Sequence, residues 1–207
     1  MNLPQQIKTI DEFKESTLTE KKSTFIAHVY SAGSEDEVKE YLSKTKKKYY
    51  DASHHCYAYK LAGGNNRYSD AGEPSGTAGV RILNAIEHFE LRNQLVIVIR
   101  FFGGIKLGVG PLGKAYYLAA HQVLNESKII TKQLFQKVTI SSEFEQINIV
   151  HRILSNYNSI ILNGDYQKNV KLSCLIKSIE IDLISQKLSE LSKNKIMFTP
   201  QPEFIYK

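Results

Sequence analysis

LVIVIRFFGGIKLGVGPLGK, residues 95–114, decides how this chain folds. Leu95–Phe101 is apolar at every position but Arg100, so it reads as a central strand buried on both faces. A Gly-rich loop follows over Gly103–Gly113. Leu112, Tyr116, Ala119, Ala120 and Val123 then recur at helical spacing to about Asn125. Strand, glycine loop and helix in that order can bring backbone amides to an anion.

Two nucleotide motifs fit the loop loosely. Gly108, Gly110 and Gly113 match G-x-G-x-x-G, and Gly108–Lys114 matches G-x-x-x-x-G-K. Ala115 stands where a phosphate loop needs Ser or Thr for magnesium. Six residues separate the strand from Gly108, and no acid lies near Gln133 where a dinucleotide site wants one. The glycines equally serve tight turns and close helix–strand packing, or a loop that binds a macromolecule. No cofactor is expected.

Upstream, Ser23–Ala32 is β-branched and aromatic and reads as a strand. Ser34 and the acids after it mark a helix start, and Lys46, Lys47 and Lys48 suit its end. Ser53–Leu61 alternates like a strand, with His54 and Cys56 on one face and His55 on the other. A metal needs more ligands than these, and Cys174 lies far along the chain, so no metal is expected. Ala62–Gly79 is a long loop rich in turn residues. Within it Asp70 and Glu73 form a possible carboxylate pair. Ser75 sits in G-x-x-S-G rather than the G-x-S-x-G of a nucleophile elbow. Ser75 or Thr77 also suits a cap for the helix over Val80–Glu90.

Downstream of a linker at Glu126–Gln133 the pattern restarts. Strands at Phe135–Ile140, Ser159–Leu162, Val170–Ile176 and Ile196–Thr199 alternate with helices at Glu143–Asn156 and Ile179–Leu191, with a turn at Asn163–Asp165. The order βαββαβ is the ferredoxin-like one. Two domains are expected, 1–128 and 129–207, in an α/β (α+β) chain.

The 207 residues carry a net charge of +6, shared evenly by the two halves. That surplus permits contact with RNA without requiring it. The run Leu95–Ile99 is far too short to span a membrane. The first residues lack a signal peptide's apolar stretch, and the cysteines, two in all, form no disulfide framework. A cytoplasmic protein without membrane contact is expected.

YSDAGEPSGTAG at 68–79, followed by RFFGGIKLG at 100–108, resembles the YigZ/IMPACT family. The family pattern is close to S-D-D-G-E-P-[SA]-G-T-A-G and then R-[YFW]-[YF]-G-G-I-x-L-G. Asp51, Ala52, His54, Cys56, Ala58 and Tyr59 also look like the family's DAxHxCxAY stretch. Ala71 stands where a second Asp is usual, Arg81 for a frequent Pro, and Pro111 for a frequent Gly. The resemblance implies an N-terminal domain like domain IV of elongation factor G and a ferredoxin-like C-terminal domain like its domain V. It also implies a role in translation. Eukaryotic relatives bind a large activator of an initiation-factor kinase, while the two-domain bacterial form suggests contact with RNA or the ribosome.

The expected function is therefore a translation-associated regulatory or binding protein that contacts RNA, the ribosome or a translation-control partner. Its cleft would gather both glycine loops at one end of the N-terminal sheet. His54, Asp70, Gly72, Glu73, Ser75, Gly76 and Thr77 would contribute from one side. Arg100, Gly103, Gly104, Lys106, Gly108 and Lys114 would contribute from the other, with Arg100, Lys106 and Lys114 supplying positive charge. The alternative is an enzyme acting on a small phosphorylated or peptide substrate there, with His54, Asp70 and Glu73 as acid/base groups. A third reading is a regulator that binds only protein.

Overall fold

A computed structural model describes residues 3–167 and 169–207; the first two residues of the expected 1–128 domain lie outside it. The chain forms two units, the first ending at Thr131 and the second running Lys132–Lys207.

The first unit is built on an antiparallel sheet. Its strands are β2 (Lys14–Glu20), β3 (Ser23–Ser31), β4 (His54–Lys60), β5 (Asn66–Ser69) and β6 (Gln94–Phe101), in the order β2-β3-β6-β4-β5. β6 is central, and all but its last residue are buried. The alternate residues of β6 feed two cores. Val96 and Val98 pack with Ala27, Cys56 and Ala58 under α2 (Gly79–His88) and α3 (Val109–Asn125). Leu95, Ile97 and Ile99 pack with Val38 of α1 (Glu35–Lys48) on the other face. The continuous apolar run of β6 thus comes from a sheet with helices on both faces. A short strand, β1 (Gln6–Thr9), meets Leu91 through Lys8.

Local signals explain the helix ends. The Ser34 hydroxyl accepts from the Glu37 N–H, acids fill the first turn of α1 and three lysines its last. The second unit holds β7 (Ile130–Glu143) from Lys132 onward, then α4 (Ile147–Asn156), β8 (Ile160–Asp165), β9 (Asn169–Lys177), α5 (Ile181–Ser192) and β10 (Met197–Tyr206). The sheet order β10-β7-β9-β8, antiparallel throughout, is the ferredoxin-like one. Its core joins Val138, Val150, Leu172, Cys174, Ile184 and Leu188.

Several boundaries correct the sequence reading. β5 lies inside the stretch expected as loop, because two turn-rich segments hide four residues of strand. α3 starts at Val109, so Gly110, Gly113 and Lys114 are helical rather than loop. β7 begins at Ile130, inside the expected linker. β8 runs through the expected turn at Asn163–Asp165, with a bulge between Ile161 and Asn163. β10 reaches Tyr206 through two prolines, with a register shift between Pro200 and Phe204.

Candidate functional site

The two glycine loops meet. A cleft of about 380 Å³ is lined by His54, Glu73, Pro74, Arg100, Phe102, Lys106, Leu107, Gly108, Val109 and Leu112. Strand register explains the first contacts. His54 on β4 lies opposite Arg100 on β6, and Arg100 lies opposite Phe25 on β3.

Glu73 organises the floor. Its carboxylate is 4% exposed and its Oε1 accepts from Arg100 Nη1 at 2.6 Å and from the Tyr116 hydroxyl at 2.7 Å. Tyr116 in turn accepts from the Cys56 thiol at 3.3 Å, and that thiol also lies 3.0 Å from the Asp70 carbonyl. Burial pushes the Cys56 thiol up to about 12, so it is no thiolate nucleophile. Burial likewise raises the Tyr116 hydroxyl, which keeps it a donor. Arg100 Nη2 donates to Ser23 Oγ at 3.3 Å, and its guanidinium lies 5.4 Å from the centre of the Phe25 ring and 5.5 Å from that of Phe102. Arg100 was expected to offer positive charge to a ligand. Its charge is instead matched by Glu73 beneath the cleft, as a buried pair requires.

His54 stands at the rim. Its Nδ1 donates to the Ala71 carbonyl at 2.9 Å, since a carbonyl can only accept. The other nitrogen, Nε2, therefore faces the cleft, 3.7 Å from Glu73 Oε2. Gly72 lies against this ring: a Cβ there would sit 3.4 Å from Nδ1.

Asp70 is not an acid/base partner of Glu73. Its Oδ1 accepts from the amides of Ala78 and Gly79, and its Oδ2 from Gly76. Burial alone would raise its pKa, but the three amide donors outweigh that and hold the carboxyl below its ordinary value. Asp70 therefore caps α2 from eight residues upstream of Ala78. Neither Ser75 nor Thr77 does so: the N-cap residue is Ala78, and the buried Thr77 hydroxyl donates to the Pro74 carbonyl.

Gly103 has no room for a side chain, because a Cβ would fall 2.0 Å from the Lys22 backbone at the β2–β3 turn. Gly108, at φ +86, turns the chain into α3. Gly104 faces open space. Lys106 is exposed in the cleft wall and, among the described residues, has no ion-pair partner. Lys114 lies elsewhere, in a groove with Arg81, Asn84 and Tyr117.

Of the expected residues, the cleft gathers His54, Glu73, Arg100, Lys106 and Gly108. Asp70, Gly72, Ser75, Gly76, Thr77, Gly103 and Gly104 do not line it, and Lys114 lines the other groove. Tyr116, Ser23 and Phe102 were missed. Tyr116 reads in the sequence as one more inward helical position, though a buried hydroxyl demands a partner. Among the described residues no cluster of three His, Cys, Asp or Glu side chains could hold a metal ion. None of the described helices is long and apolar enough to cross a membrane.

The sequence model of the Impact N-terminal domain matches residues 21–124, from the β2–β3 turn to the last turn of α3. The chain belongs to the IMPACT family. It is 30% identical to the IMPACT family member YvyE of Bacillus subtilis, over 90% of this chain and 87% of that one. It is 29% identical to the IMPACT family member YigZ of Escherichia coli, over 85% and 88%. Rabbit (Oryctolagus cuniculus) Protein IMPACT is 38% identical over 44% of this chain and 30% of its own length. A crystal structure of a hypothetical protein aligns with TM-score 0.72 and 26% identity, covering 97% of this chain and all of the other.

Proposed function

We propose that the cleft is a contact site for RNA in a protein that works in translation. The observation that carries this reading is the charge balance of the cleft. Arg100 and Glu73 cancel, and what remains is the exposed Lys106 beside the amino end of α3, whose first turn holds no acid. Helix amides and a free ammonium favour a phosphate. Phe102, about half exposed, adds an aromatic surface beside them. The role in translation rests on the family resemblance. The alternative of acid/base catalysis is left with His54 and the Oε2 of Glu73, because Asp70 caps a helix and Glu73 Oε1 is doubly hydrogen-bonded.

Filter binding to a structured RNA tests the reading. Affinity should fall steeply with salt, and Lys106→Ala should weaken binding evenly across sequences, reducing the salt slope by about 0.7–0.9. Absence of binding at low salt, or a Lys106→Ala protein that binds like the wild type, would refute it.

A further inference from the structure

Beside the cleft, on the other side of the start of α3, lies a second groove of about 380 Å³. It is lined by Arg81 and Asn84 of α2 and by Gly110, Gly113, Lys114 and Tyr117 of α3. Arg81 and Asn84 are three apart, as are Lys114 and Tyr117, so each pair shares one helix face. Gly113 makes the groove possible: a Cβ there would sit 3.3 Å from Arg81 Nε, so the guanidinium stem lies over bare α3 backbone. Among the described residues no carboxylate lines the groove. Arg81 and Lys114 are both exposed, and among the described residues neither has an ion-pair partner. Two unspent cations facing each other across a groove, with an amide and a phenol beside them, make an anion-binding surface.

We propose that this groove is a second phosphate subsite, and that the ligand class is single-stranded RNA. The proposal rests on the reading of the cleft as an RNA contact. Lys106 and the first turn of α3 take one phosphate, and Arg81 with Lys114 takes a neighbouring one. Val109 and Lys114 are five positions apart in α3, a rise of roughly 8 Å along its axis. The planar guanidinium can grip two phosphate oxygens, with the ammonium as a point charge beside it. Half-exposed Phe102 selects a single strand, because only unpaired bases can lie on an aromatic ring.

The test is binding of a short fluorescent oligouridine across a salt series. The proteins are the wild type, Arg81→Ala with Lys114→Ala, Lys114→Ala alone, and Lys106→Ala. The double variant should bind about tenfold more weakly and show a salt slope shallower by about 0.7, one phosphate's worth for a single strand. Lys114→Ala should move the same way by less, which covers a double variant that folds poorly. Arg81→Lys should keep the slope but lose affinity. A double variant with wild-type affinity and slope, alongside a weakened Lys106→Ala, overturns the second subsite and leaves the cleft reading standing. A wild type that does not bind oligouridine at low salt overturns both. A duplex of equal length that binds as tightly as the oligouridine overturns the single-strand assignment.

Discussion

Glu73 shows what a single side chain costs and supports here. Arg100 and Tyr116 both depend on its buried carboxylate, so removing either leaves a charge with too few partners. Arg100→Ala should destabilise the first unit by about 3–5 kcal/mol, the cost of stranding a buried charge. Tyr116→Phe removes one charged hydrogen bond and should cost about 1.5–3 kcal/mol. Urea unfolding of the two variants checks both. Asp70 carries a pH dependence with a definite sign. Its pKa is lowered in the folded chain, so the unfolded chain binds the extra proton, and the stabilisation is present above about pH 4. It is lost as pH falls through the folded value. Asp70→Asn should therefore lower the urea midpoint at neutral pH and flatten the fall in midpoint as the pH drops below about 4. A variant with an unchanged acid limb would show that the α2 cap contributes nothing.

At the scale of elements, the tightest constraint is where the second glycine loop crosses the β2–β3 turn. Gly103→Ala puts a methyl carbon into the Lys22 backbone, and should cost about 3 kcal/mol, the upper end of overpacking. Denaturant titration reads this directly. The same places mark the limits of sequence reading. β6, α1 and the βαββαβ order were legible because their apolar period or caps are local. β2 was not: KESTLTE has only Ser16 buried, so its pairing with β3 leaves no apolar signature. β5 was masked by the turn residues around it. The meeting of the loops was expected from their family pattern, yet the roles inside the cleft were not. Arg100 and Glu73 are 27 residues apart, and no local pattern reveals that one neutralises the other. Asp70 caps a helix whose first residue is nine positions on, beyond the three-residue spacing in which caps are normally sought.

For the whole molecule, the cores are separate sets of residues within each unit. Ile184→Ala removes a side chain with no exposed surface from the second unit's core and should cost about 2–5 kcal/mol there. Hydrogen exchange should quicken at the amides of β9, while those of β6, which belong to other cores, keep their protection. Each unit also holds one free cysteine with no exposed surface, Cys56 in the first and Cys174 in the second. Burial lifts the second thiol as well, to about 11. Alkylating reagents need both access and thiolate, so neither sulfur reacts until its surroundings open. Timed iodoacetamide labelling followed by peptide mass mapping thus clocks the opening of the two halves independently, in one tube and with no engineered probe.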